Sequence, residues 1–186
     1  MCIRDRLKVS TTNIDNLDFQ EKSPLHHACK QGHLELVMEL VQISTKSIDI
    51  LDCQQKSPLH HACDYGSIAV VRELLIVSTM RIDSLDFHGK SPLHHACKQG
   101  HLDVVMELLK VSNKSIDILD YQQMSPLHHA CEQGRFEVVR ELLKVSTMNI
   151  DNLDFQEKSP LHHACKQGHL ELVMDCLLYT SPSPRD

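Results

Sequence analysis

An all-α solenoid of stacked helix-turn-helix units joined by hairpin loops, with a 34-residue period, is the architecture this sequence predicts. Three observations carry it. The string SPLHHAC occurs five times, beginning at Ser23, Ser57, Ser91, Ser125 and Ser159, and each step is 34 residues. Every copy opens a short helical signal that is followed by a second one. Neither signal has the apolar area to fold alone, so a unit is stable only by burying one face on the unit before it and the other on the unit after.

The elements follow in order within residues 18–51. Ser23 then Pro24 gives an N-cap and a preset first helical turn, and Gly32 supplies the left-handed stop about two turns later. A second helix follows in HLELVMELVQI, where Leu34, Val37, Leu40 and Val41 share one face. The tail STKSIDIL offers Ser, Thr and Asp for turns and has no helical stripe of its own. Residues 52–85, 86–119 and 120–153 repeat this order with stops at Gly66, Gly100 and Gly134. Residues 154–175 begin a fifth unit, with Gly168, that breaks off inside its second helix.

Composition narrows the function. The sequence has no Trp, and aromatic residues make up 4%, so thin layers of Leu, Val and Ile are expected in place of a thick ring-filled core. The net charge is −6, with Lys and Arg scattered through every segment, which leaves no electrostatic footprint for nucleic acid. No stretch has the roughly 18 apolar residues of a membrane span, and MCIRDRLKVSTT lacks the apolar region of a signal peptide. An intracellular, cytoplasmic monomer is expected. Cys29, Cys63, Cys97, Cys131 and Cys165 hold one repeat position; units stacked at about 8–10 Å keep them beyond disulfide reach, as free buried thiols.

The motif S-P-L-H-x-A, followed by G-H-L-E-L-V and a polar hairpin, resembles the ankyrin repeat, whose signature is T-P-L-H-x-A, over residues 7–175. The resemblance implies that the first histidine of each motif (His26, His60, His94, His128 and His162) holds neighbouring loops by hydrogen bonds, and that the cysteine is a small residue between helices. Two departures bear on the hairpins. The usual glycine before the motif survives only as Gly89, with Glu21, Gln55, Gln123 and Glu157 elsewhere. The unit also has one residue more than the usual 33, placed at 44–47 and its equivalents.

Both termini break the pattern. Residues 1–6 and 176–186 resemble in-frame translations of a sequencing-library adapter and are set aside as artefact. Residues 7–17 align with 143–153 and read as the tail of an upstream repeat, so the natural protein is expected to be longer. Residues 13–38 are identical to residues 149–174; duplication of repeat pairs explains this, as does misassembly of short reads across identical repeats.

Catalysis and cofactors find little support. His26 and Cys29 lie three apart on one helical face, but each unit offers two convincing metal ligands where a closed zinc site wants four. Five equal Cys-His pairs leave no reason for one to become a nucleophile. No phosphate-binding glycine loop and no acidic pair that occurs once is present. The expectation is no enzyme, no metal and no cofactor.

What remains is surface. The resemblance implies a concave face, lined by hairpin tips and first helices, that binds a protein partner. Its first column is Phe19, Cys53, Phe87, Tyr121 and Phe155; its second is Gln20, Gln54, His88, Gln122 and Gln156. Lys22, Lys56, Lys90, Met124 and Lys158 form a third, and Lys30, Asp64, Lys98, Glu132 and Lys166 a fourth. Rigid rings flanked by amides and lysines suit an interface, although a ring at a hairpin could equally pack on the next repeat. The function expected is a protein-protein interaction scaffold for an extended or acidic-aromatic segment. The alternatives are a targeting arm of a larger enzyme, channel or effector, and a structural spacer.

Overall fold

The computed structural model describes residues 14–77, 81–145 and 148–174. The expectations for residues 1–6, 7–13 and 175–186 lie outside the described residues.

The first helices of the five units are α1 (Pro24–Gln31), α3 (Pro58–Tyr65), α5 (Pro92–Gln99), α7 (Pro126–Glu132) and α9 (Pro160–Gln167). Each begins at an extended serine with proline in the first turn. Gly32, Gly66, Gly100, Gly134 and Gly168 all take positive φ, between 64° and 84°, where the expected stops lie. The second helices are α2 (Leu34–Ile43), α4 (Ile68–Val77), α6 (Leu102–Val111) and α8 (Phe136–Val145), and residues 170–174 start a fifth.

Packing follows the stripes. First helices stack on first helices in the order α1, α3, α5, α7, α9, and second helices on second helices from α2 to α8. Val104, Val105, Leu108 and Leu109 of α6 are buried, as are their equivalents Val70, Val71, Leu74 and Leu75 in α4. Leu25, Ala28 and Cys29 with their equivalents in the next three units fill the layer between first and second helices, and Ile48, Ile82, Ile116 and Ile150 plug it from the tails. One apolar core therefore runs the length of the array.

The tail of the unit is tighter than expected. Thr45–Asp49, Asn113–Asp117 and Met148–Asp151 form 3-10 helices, which absorb the extra residue of the period. Ser44 and Ser47 donate their hydroxyls to Asp15 of the preceding tail, and Ser112 and Ser115 do the same to Asp83. One position departs from its column. Cys29, Cys63, Cys97 and Cys131 are free and buried, but Cys165, expected to be buried, is exposed because no following unit covers α9 among the described residues.

Candidate functional site

Each hairpin is tied by one aspartate. Asp18 Oδ1 accepts the Gln20 and Lys22 amides at 2.8 and 3.0 Å, and the Glu21 amide closes a β-turn on the Asp18 carbonyl at 2.9 Å. Asp52, Asp86, Asp120 and Asp154 repeat the arrangement. The third loop residue is left-handed in every unit: φ is 58° at Glu21, 57° at Gln55, 76° at Gly89, 58° at Gln123 and 55° at Glu157. The hairpin that usually has glycine here is thus kept with four residues that carry a Cβ, under local strain.

Successive tips are stitched backbone to backbone. The Cys53, Phe87, Tyr121 and Phe155 amides donate to the Gln20, Gln54, His88 and Gln122 carbonyls at 3.0, 2.8, 3.1 and 3.1 Å. This fixes the aromatic column on the main chain while its rings point outward. Phe19 is 94% exposed, Phe87 63%, Tyr121 64% and Phe155 71%, so these rings do not serve chiefly to pack on the next repeat. Gln20, Gln54, His88, Gln122 and Gln156 are exposed beside them. Lys22, Lys56, Lys90 and Lys158 are half-buried, and Met124, which replaces lysine in the fourth unit, is buried.

Behind the tips lies a ladder of histidines. The Ser23 amide donates to His26 Nδ1 at 3.1 Å, while Nε2 lies 3.1 Å from the Lys56 carbonyl of the next unit. A nitrogen that accepts an amide proton carries none of its own, so the proton sits on Nε2 and donates to that carbonyl. The ring is neutral by construction. His60, His94 and His128 repeat this against the Lys90, Met124 and Lys158 carbonyls at 3.1, 3.2 and 3.3 Å. His162 keeps its bond to Ser159 and is exposed. Burial pushes the pKa of His60 and His94 down to about 3, and lowers those of His26 and His128.

The second histidine of each motif binds the hairpin aspartate of its own unit. His27, His61, His95, His129 and His163 place Nε2 at 2.8 to 2.9 Å from Asp18, Asp52, Asp86, Asp120 and Asp154. Rings also meet across units, edge to face, at centroid separations of 5.5 Å for His26 and His61, 5.7 Å for His60 and His95, 5.7 Å for His94 and His129, and 5.8 Å for His128 and His163. Burial holds His61 down to about 4 against the pull of Asp52. Burial alone would raise the Asp52 carboxyl, but hydrogen bonds from His61 and from the Lys56 and Gln54 amides outweigh it and hold it below 3.8.

Histidine-aspartate pairs also occur in general-base sites; here the pair of the first unit, His27 and Asp18, is partly exposed and the other four are not. His61, His95, His129 and His163 are buried under the hairpins, and each pair serves its own turn. Both nitrogens of His26 are already bonded, so it has no lone pair to offer a metal beside Cys29. Burial pushes the Cys29, Cys63 and Cys97 thiols well up, away from the reactive thiolate.

The geometry of the repeat has a match among known families. The family model described as Ankyrin repeats (3 copies) matches residues 4–86 and 75–154, and the one described as Ankyrin repeat matches residues 156–186. The chain belongs to the ankyrin-repeat family. Ankyrin repeats are generally protein-protein interaction modules and typically non-catalytic scaffolds. No curated protein gives a significant match to this ankyrin array. No helix among the described residues is long and apolar enough to cross a membrane.

Three features of the array escaped sequence reasoning. The pairing of the second histidine with the hairpin aspartate is one, although a histidine nine residues after an aspartate in every unit was visible. Another is the residue after three of the stop glycines: His101 Nε2, Arg135 Nε and His169 Nε2 reach back to the Asp64, Lys98 and Glu132 carbonyls at 3.2, 3.1 and 3.2 Å. The third is the packing of Tyr121 on Gly89, where a Cβ would lie 2.5 Å from the ring.

Proposed function

We propose that this ankyrin array is a non-catalytic scaffold that binds an extended segment of a protein partner along the hairpin tips and first helices. Phe19, Phe87, Tyr121 and Phe155 are the anchors. Gln20, Gln54, His88, Gln122 and Gln156 orient the partner main chain, and Lys22, Lys56, Lys90 and Lys158 line the inner edge. One observation carries the reading: four large rings are exposed, and three of them, Phe87, Tyr121 and Phe155, stand on a backbone whose amides are already fixed by the neighbouring tip. Anchors held this way lose little freedom on binding, and aromatic residues carry a large share of binding energy in interfaces.

The test uses short random peptides displayed on phage and selected on the full chain. Replacing Phe87, Tyr121 and Phe155 together by alanine should leave the far-ultraviolet circular dichroism unchanged and abolish capture of the selected peptides. Unaltered capture rules out this face.

A further inference from the structure

The steps along the tip row are not equivalent. Lys22 and Lys158 donate to the Gln20 and Gln156 side-chain oxygens at 3.0 and 2.7 Å, and Lys56 lies 3.8 Å from Asp64. Lys90 has neither: among the described residues no carboxylate lies within 4.0 Å of its ammonium and no side-chain oxygen accepts from it. It lines a cavity of about 300 Å³ between the third and fourth units with His88, Asp120, Tyr121 and Gln122.

Asp120 lines that cavity but makes no direct ion pair with Lys90. Its Oδ1 accepts the Gln122 and Met124 amides and its Oδ2 takes His129, so its lone pairs are turned into the hairpin. Burial lowers the Lys90 pKa, and the like charge of Lys98 lowers it further, while Asp120, Asp86 and Glu132 raise it. An ammonium in this position has no direct ion-pair partner among the described residues. Tyr121 rims the cavity because Gly89 has no side chain; it is the single glycine at a tip, opposite the single tyrosine of the column.

The cavity between the fourth and fifth units has another chemistry. It measures about 290 Å³ and has Met124 where the previous one has Lys90; Gln122, Glu132, Asp154, Phe155, Gln156, His163 and Lys166 also line it. At the lysine position one cavity offers an ammonium and the next a thioether, the second also holding Glu132 and Lys166.

We infer that the cavity between the third and fourth units receives the carboxylate of one aspartate or glutamate from an extended peptide partner, bound by Lys90 with Tyr121 and Gln122 at its rim, and that this sets the partner's register. The inference rests on the proposed peptide-binding face and adds the chemistry of one position. A carboxylate in the half-buried cavity supplies the direct ion pair that Lys90 lacks, whereas the next cavity has Met124 at that position and no ammonium to pair there.

The experiment selects displayed random peptides on the full chain and on three variants: Lys90→Gln, Lys90→Glu, and the triple alanine variant of Phe87, Tyr121 and Phe155. Peptides from the parent chain should share one acidic position. Fluorescence anisotropy of such a synthetic peptide should weaken about tenfold with Lys90→Gln, and by a similar factor when its acidic residue becomes alanine, without the two losses adding. Selection on Lys90→Glu should enrich lysine or arginine at the same position, an outcome that misfolding cannot produce. Peptides that need the three rings but show the same composition on Lys90→Glu overturn the inference and leave the proposed face standing. Peptides indifferent to the rings, or a selection that enriches nothing, overturn both.

Discussion

Lowering the pH from about 7 to about 5 tests the buried histidines as a group. His60 and His94 titrate at about 3 and His61 at about 4 in the folded chain, against an ordinary 6.5. Above 6.5 these rings are neutral in both states, and their share of stability is fully present. As pH falls below 6.5 the unfolded chain binds protons that the folded chain refuses, so stability falls with pH until each folded pKa is reached. At about pH 5 each ring lies roughly 1.5 units below its unfolded pKa, a loss of about 2 kcal/mol, or about 6 kcal/mol for the three. That is comparable to the whole stability of a domain, about 5–15 kcal/mol. The charged groups around the rings do not reverse the sign. His60 faces His95, Asp86 and Lys56; His94 faces His129, His95 and Asp120; and His61 faces Asp52, His26 and Lys56. The hairpin carboxyls are held below 3.8 and act only in a lower window. Urea denaturation followed by circular dichroism should show a slope of about 4 kcal/mol per pH unit below about pH 6 from these three rings, to which His26, His128 and His129 add, and His94→Gln should lower it by about 1.4 kcal/mol per pH unit. A urea midpoint unchanged from pH 7 to 5, or a His94→Gln slope equal to the parent's, would refute the neutral-ring assignment.

Three further outcomes are expected. Gln55→Gly or Glu157→Gly should stabilise the chain by roughly 0.5–1 kcal/mol by relieving a left-handed residue, whereas Gly89→Gln should destabilise it by about 1–3 kcal/mol; urea midpoints that move in the same direction would contradict the hairpin strain. Asp120→Ala strands the Gln122 and Met124 amides and His129, and should cost about 2–4 kcal/mol, while Asp120→Asn keeps an acceptor for both amides and should cost less. Iodoacetamide on the native chain, read by mass spectrometry, should label Cys53 and Cys165 well before Cys29, Cys63, Cys97 and Cys131; early labelling of Cys97 would contradict the closed core.

Local rules reached some parts of the fold and missed others. Ser23-Pro24 and Gly32 mark a helix by their own backbone preferences, and so all five first helices were readable at their ends. The stripe of Leu34, Val37, Leu40 and Val41 identified the buried face for the same reason. The histidine ladder was half legible. His26 was expected to hold a neighbouring loop, but the loop is the next unit's Lys56 carbonyl, 30 residues away, and the contact of His26 with His61 exists only once two units stack. Cys165 was misjudged because burial belongs to the neighbour and not to the residue. At the tips, the columns were legible but the accessibility of the lysines was not, since their half-buried stems depend on how the hairpin folds back over the first helix.

The bonds between units explain how a surface can diverge while the array stays intact. His26, His60, His94 and His128 all reach a main-chain carbonyl of the next unit, and His101, Arg135 and His169 a carbonyl of the unit before. The tip-to-tip bonds likewise join amides to carbonyls. Every residue supplies a carbonyl, so the side chain at an accepting position is free of the stacking requirement. Position 124 illustrates this: His94 bonds the Met124 carbonyl at 3.2 Å much as His60 bonds that of Lys90 at 3.1 Å, though one side chain is a thioether and the other an ammonium. On the proposed reading, changes in the lysine column would alter what the face binds with little effect on how its units stack. A cavity that presents Lys90 and a neighbouring one that presents Met124 can then stand one repeat apart on the same scaffold, which is the property a partner of defined register needs.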